Sequence, residues 1–488
     1  MSAFPSRPLS RRTMLAGSLA ALGALALPGC APAPSGAVAL ADADTLWRWV
    51  EKMVEGGPRF TGSPAHRRWI DHLAGELESI GVPVERFPTL LKYWNATSWA
   101  LSVTDAHGST EQIPVAYYWP YSGTTPAAGV TGLLAEHTTD ADLTGKIVLL
   151  DRVPTKVGAA VLQAATDARP KSLLAEAALE DPTRLWAYAA PSLRAARERG
   201  AVGAIGILPA APADAKDQFS PHQQALADLP AVQLDRVQGA RLRALLERGP
   251  VTATLTLTAD TDDAATVDYL VATLPGNGAE PGAILLMTHT DGQNAIEENG
   301  AAAVLAMTEY FAKIPREDRA RDLCVVFSPA HMTAADSGVH AKAWLEQNPA
   351  ITNRIVAAVV PEHLGAMQWD AAGGEGPWRP SGKQELLILG VGNSPELTRL
   401  VATELEASEL ERTVVAGPYT NNLYGEATGP YQVGIPTVTA IAGPNYLVQV
   451  AGDGDLDKLD SALAHRQTQY LTRVTEQLLK AKWLPAPR

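Results

Sequence analysis

The chain has 488 residues, too long for one ordinary domain; 46% hydrophobic and 19% charged residues exclude a largely disordered chain. Forty Lys and Arg against 53 Asp and Glu give a net charge of −13, the wrong footprint for a general nucleic-acid binder. Two cysteines exclude a disulfide framework and a Cys-based structural zinc site.

Residues 1–30 read as an export signal. Ser10-Arg11-Arg12-Thr13 is a twin-arginine pattern, followed by an apolar run from Leu15 to Leu27 that is too short to span a bilayer. The run ends at Leu27-Pro28-Gly29-Cys30, which resembles the lipobox of bacterial lipoproteins, with Pro28 where a small residue is usual. Cys30 is the expected lipidation point. Residues 31–43, rich in Ala, Pro and Gly, read as a tether. The expected product is an exported body anchored to a bacterial membrane through lipid.

Residues 44–82 read as helix, turn, helix, with Trp47, Val50, Met53 and Val54 on one face and Trp69, Leu73, Leu77 and Ile80 on the other helix. Strands are expected at Val84–Phe87 and Trp99–Val103. From 112 to 258 the texture is that of a separate small α/β unit. It has strands at Gly129–Leu134, Lys146–Leu150 and Ala204–Leu208, helices at Ala190–Arg199 and Val237–Glu247, and a helical excursion from Thr155 to Leu185. Val251–Leu257 leads out of it. Beyond Asp268, apolar strands alternate with helices: strands at Tyr269–Leu274, Ala283–Met287, Leu323–Phe327, Ile355–Val360, Glu385–Gly390, Thr413–Val415 and Thr437–Ile441. Helices are expected at Ala301–Phe311, Val339–Glu346 and Pro395–Ala407, with a long terminal helix over Leu456–Leu484. Cys324 sits in an apolar strand and reads as a core thiol. The alternation predicts a mainly parallel, mixed sheet covered on both faces, a three-layer αβα sandwich.

Three strands run straight into ionisable residues. Ala283–Met287 leads to His289-Thr290-Asp291, Leu323–Phe327 to His331, and Ile355–Val360 to Glu362-His363. Glu297-Glu298-Asn299-Gly300 precedes the helix after the first of these. Ligands bind beyond the carboxyl ends of strands in open α/β sheets, and His with carboxylate is the zinc donor set when Cys is absent. The joint placement points to one shared metal site.

These residues carry a resemblance. Arg59-Phe60-Thr61-Gly62-Ser63, the pair of strands ending at His289-Thr290-Asp291, Glu298-Asn299-Gly300, and Gly434-Ile435-Pro436 together resemble the zinc aminopeptidase superfamily, which includes aminopeptidase Y, glutamate carboxypeptidase II and the glutaminyl cyclases. Asp142–Leu149 and Arg197–Leu208 resemble a protease-associated domain. The resemblance implies a zinc-peptidase-like domain over 44–111 and 259–488, split by an insert over 112–258. It implies a zinc site of one or two ions and a peptide or other amide substrate.

Residue by residue, the resemblance places metal ligands at His289, Glu298 (for a bridging Asp), His331 and Glu362. The family's general base falls at Ala330, and its final His at Leu447, which cannot ligate. Glu297 or His363 is then expected to supply the base, Asp291 to orient His289, and Asn299 and Tyr446 to contact substrate. A metal-dependent hydrolase is the first expectation. A single-zinc enzyme of other chemistry, such as acyl transfer, and a catalytically degenerate binding protein are the alternatives. Oligomeric state is not legible.

Overall fold

A computed structural model describes residues 38–138, 142–153, 164–175, 184, 189–371, 376–419 and 422–488. The export signal, Cys30 and most of the tether lie outside the described residues, as does most of the expected helical excursion. Residues Ala39–Arg488 form one compact unit.

The strands are β1 Val84–Thr104, β2 Thr110–Ile113, β3 Tyr117–Tyr118, β4 Val130–Glu136, β5 Lys146–Asp151, β6 Ala165–Arg169, β7 Gly203–Ile207, β8 Ala231–Leu234 and β9 Thr252–Leu274. They continue with β10 Ala283–His289, β11 Asp322–Ser328, β12 Ile355–Pro361, β13 Met367–Ala371, β14 Trp378–Gln384, β15 Leu387–Gly392, β16 Thr413–Tyr419 and β17 Thr437–Ala442. One mixed sheet runs β3-β8-β7-β5-β4-β9-β11-β10-β12-β17-β15-β16-β6; β13 and β14 form a separate hairpin. In the middle, β10 lies parallel to both β11 and β12, and β12 parallel to β17. Every residue of β10 and β12 is buried. This is why these strands read as continuous apolar runs, since both faces are covered. Helices Ala43–Val54, Pro64–Ser79, Gly300–Lys313 and Ser461–Lys480 cover one face, and Ala341–Gln347 packs on the other through Trp344 and Leu345. The expected αβα layering is present, and Cys324 is buried in β11.

Several expectations are corrected. The two short strands expected at 84–87 and 99–103 are one strand, and the connection expected at 251–257 is continuous with the strand expected at 269–274. β1 and β9 pair antiparallel from Val84↔Ala272 to Thr104↔Thr252, with irregularities between Leu91/Tyr93 and Ala96/Ser98. The polar run at 258–264 hides this continuity because it is exposed while still hydrogen-bonded in the ladder. Ala165–Arg169, expected helical, is an edge strand antiparallel to β16. The terminal helix starts at Ser461, where Asp460 accepts from Leu463 N–H; Leu456–Lys458 is a separate 3-10 turn. Among the described residues, no helix is long and apolar enough to cross a membrane.

Candidate metal centre

The site forms where β10, β11 and β12 end. His289 is the last residue of β10. Its Nδ1 meets the carbonyl of Asp291 at 2.9 Å, which fixes the ring and assigns Nε2 as the nitrogen that would give up its proton to a metal. Glu362 follows β12; its Oε1 accepts from Glu426 N–H at 2.9 Å, and its Oε2 lies 3.7 Å from His289 Nε2. His363 adopts a left-handed backbone at φ 54, a conformation that costs about 1–2 kcal/mol for a residue with a Cβ. That turn swings its ring back into the site. There Nδ1–H meets the carbonyl of Ala442, the end of β17, at 2.7 Å, and Nε2 is left free.

His289, Glu362 and His363 bring one ligand atom each within 4.8 Å of one another, and so do His289, Glu297 and His331. The two triads share His289 and approach through Glu297 Oε2 and His363 Nε2, 3.6 Å apart. In the first triad all three ligand atoms, His289 Nε2, Glu362 Oε2 and His363 Nε2, are buried without a hydrogen-bond partner. Such atoms are costly unless something meets them, and a dication meets all three at once. The electrostatics agree. Burial pushes Glu297 and Glu362 up to about 8. Burial draws His289 down, but the Asp291 hydrogen bond and the Glu362 charge overcome it and hold the ring up to about 10. A cation bound among these carboxyls would restore their charge. The donor set of two imidazoles and a carboxylate fits zinc with an open position.

The other expected residues sit as follows. His331 stacks on His289 with ring centroids 4.3 Å apart, and its Nδ1 lies 3.0 Å from Glu426 Oε2. Its Nδ1–H is therefore directed at a carboxylate and its Nε2 left free. Glu297 lies on the short turn Ala295–Glu298, and its N–H donates to Asn294 Oδ1 at 3.1 Å. Asp291 accepts from the N–H groups of His331 at 3.0 Å and Met332 at 2.8 Å, and from the Thr61 hydroxyl. Despite burial, the His289 partnership keeps its carboxyl far below the ordinary range. Asp291 thus fixes the loop that carries His331, and it stands 3.5 Å behind His289 Nδ1.

Three expected site residues lie outside both triads. Glu298 is not part of either triad: Arg59 Nε is bonded to its Oε1, and Arg59 also donates to the carbonyls of Gly57 and Asn294, the latter at 2.7 Å. Oε1 of the longer carboxylate is drawn to a buried guanidinium, while its Oε2 is buried without a hydrogen-bond partner. Asn299 is buried and turned into the fold, with Nδ2 on the Leu364 carbonyl at 2.7 Å and Oδ1 on its N–H at 2.9 Å. Tyr446 is fully buried, and its hydroxyl is 2.9 Å from the carbonyls of both Met367 and Lys458. Both side chains thus hydrogen-bond within the fold.

A cavity of ≈ 620 Å³ opens over this cluster, lined by Glu297, His331, His363, Glu426, His222 and Leu447 among others. Glu426 and His222 went unforeseen because neither follows a strand. Glu426 lies in the 3-10 turn Gly425–Ala427, and only the preceding Gly425 is a signal. At φ 60, a Cβ on Gly425 would strike both carboxylate oxygens of Glu362.

No protein-family model matches the chain, and no curated protein is similar to it in sequence. Solved structures are similar. BSAP, a zinc aminopeptidase from Bacillus subtilis, superposes with a TM-score of 0.61 at 13% identity, covering 91% of this chain and 97% of that one. An aminopeptidase from Aneurinibacillus sp. strain AM-1 gives 0.59 at 17% identity over 89% of this chain and 93% of its own. A peptidase precursor from Shewanella amazonensis gives 0.62 at 18% identity over 91% and 97%. The resemblance read from the sequence therefore holds at the level of architecture: this chain has the fold of the zinc aminopeptidases.

Proposed function

We propose that the protein is an exported, zinc-dependent hydrolase that cleaves peptide or related amide bonds at a single-ion site. The observation that carries this is the first triad: three buried, unpartnered ligand atoms from the ends of β10 and β12, two of them on rings whose other nitrogen is held by a backbone carbonyl. The fold shared with zinc aminopeptidases supports the same reading.

In this reading His289, Glu362 and His363 hold the ion. Zinc supplies Lewis acidity toward a carbonyl and toward water. Glu297 lines the cavity beside His363 and takes the proton of the attacking water, the work expected of a general base. His331, held by Glu426, presents its free Nε2 to the same space. Leu447 adds an apolar wall to the same cavity. Residues 112–258 are read as a protease-associated-type insert, residues 1–30 as the export signal and Cys30 as the point of lipid attachment. Metabolic labelling with a radioactive fatty acid should mark the wild type and not Cys30→Ser; label on both variants would contradict the anchor.

One observation favours a second reading, acyl transfer without hydrolysis. The position where the resemblance implies the general base is Ala330, which is buried and has no ionisable group. Purified protein assayed on a panel of peptides and aminoacyl amides decides between them. Chelator-sensitive release of free acids supports hydrolysis, zinc-dependent consumption without free acid supports transfer, and absence of bound zinc contradicts both.

A further inference from the structure

His331 stands at a seam between two hydrophobic cores. Ala330, just before it, is buried with Leu286, Val325 and Phe327 of the central strands. Met332, just after it, and Ala334 are buried with Tyr117, Tyr121, Phe219 and Leu234 instead. Apart from residues of β1, every other buried member of this second cluster lies within 112–258. The loop that carries His331 thus leaves β11 and enters the core of that segment.

Hydrogen bonds cross the seam. The Tyr121 hydroxyl donates to the Met332 carbonyl, and Gln223 Nε2 donates to the His331 carbonyl at 2.9 Å. Ala335 N–H donates to the Gln224 carbonyl at 3.0 Å, and Leu226 N–H to Asp336 Oδ1 at 3.1 Å. On the opposite side the N–H groups of His331 and Met332 go to Asp291. His331 and Met332 therefore each give their N–H to Asp291 and their carbonyl to the 112–258 segment. Tyr121 is itself pinned. It is buried, its backbone is left-handed at φ 56, and its ring lies against Trp94 and Phe219, with centroids 5.5 and 6.0 Å away. A residue with a Cβ keeps that backbone only where its surroundings over-determine it. A donor fixed in this way sets the position of the carbonyl it meets and, one peptide bond away, that of His331.

The placement matters because of what His331 touches. Its ring stacks on His289 with centroids 4.3 Å apart, its Nδ1 lies 3.0 Å from Glu426 Oε2, and it lines the cavity. We propose that Tyr121 and Gln223 are positioning residues of the site. They act through the Met332 and His331 carbonyls to hold His331 against His289, which makes the 112–258 segment a working part of the metal centre. This rests on the zinc-hydrolase reading of the site and adds the elements that set its geometry.

The test uses the zinc-loaded full chain and the substitutions Tyr121→Phe, Gln223→Met and His331→Ala. Phe and Met keep the packing and remove the donors. Each is expected to lower kcat about tenfold, with KM and zinc content little changed. Neither is expected to lower it further in the His331→Ala background. Losses that add to that of His331→Ala overturn the proposal, because a general support of the fold would act without His331. So does an effect confined to KM. A second readout needs no turnover: amide exchange at His331 and Met332 should quicken about tenfold in both variants while exchange within β10 stays the same. Unchanged exchange at those two amides, or faster exchange throughout the sheet, overturns the proposal. A wild type that holds no zinc, or holds zinc but turns over no peptide or amide, sinks the hydrolase reading and the catalytic part of this inference. Exchange alone then decides whether the segment sets the loop.

Discussion

Arg59 and Glu298 stand 239 residues apart in sequence and form a buried ion pair. The exposures of their side chains, 1% and 0%, decide what the pair is worth. Water cannot replace either partner, so removing one strands a charge, at a typical cost of about 3–5 kcal/mol. Arg59→Met should lower unfolding stability by that order, and Arg59→Met combined with Glu298→Leu should regain most of it. Denaturant melts of the two variants check this; equal losses in both would contradict the pairing. The pair also shows where residue-level reading of the sequence stops. Glu298 has the chemistry of a ligand, and nothing local reveals that a guanidinium from the first turn of the chain has claimed it. His363 shows the converse. Read beside Glu362 it suggests a base, but its left-handed backbone and its bond to Ala442 set its ring beside His289 and Glu362, on which its proposed role as a ligand rests, and both depend on β17 lying next to β12.

At the scale of elements, two short pieces press on the site. The 3-10 turn Gly425–Ala427 lies against Glu362 so closely that only glycine fits at its start. Gly425→Ala should displace Glu362 and reduce zinc affinity by roughly tenfold or more, as loss of a ligand's support does elsewhere. Zinc competition with a chromophoric chelator measures this, and unaltered affinity would place Glu362 outside the coordination sphere. The second piece is the start of helix Pro64–Ser79. His66 is fully buried; its Nδ1 accepts from Gly62 N–H at 3.0 Å, and its Nε2 lies 2.9 Å from the Thr290 hydroxyl. Burial pushes its pKa down to about 4. The unfolded chain, with an ordinary value near 6.5, binds the proton first, so stability is full above about pH 6.5 and falls as pH drops toward 4. The slope should approach about 1.4 kcal/mol per pH unit across that window, and it should flatten in His66→Gln. A slope shared by wild type and variant would assign the acid sensitivity to other groups.

Across the whole molecule, the central sheet was legible because its strands are buried on both faces and read as unbroken apolar runs. The ribbon of β1 and β9 was not, because its polar middle pairs in the open; the edge strand β6 was not, because its partner β16 lies far along the chain. The same distinction governs the site. Residues at strand ends could be placed from the sequence, whereas Glu426, on a turn, and His222, on a distant loop, become neighbours of His331 only through the fold. What would distinguish this chain at its centre is the proposed ligand set His289, Glu362 and His363, with Leu447 where the resemblance implies a histidine. Elemental analysis of zinc per chain, in the wild type and in His363→Ala, tests that most directly. One zinc in the wild type, lost in His363→Ala with the fold intact by circular dichroism, is the expected result; two zinc ions in the wild type, or full zinc retention by His363→Ala, would contradict it.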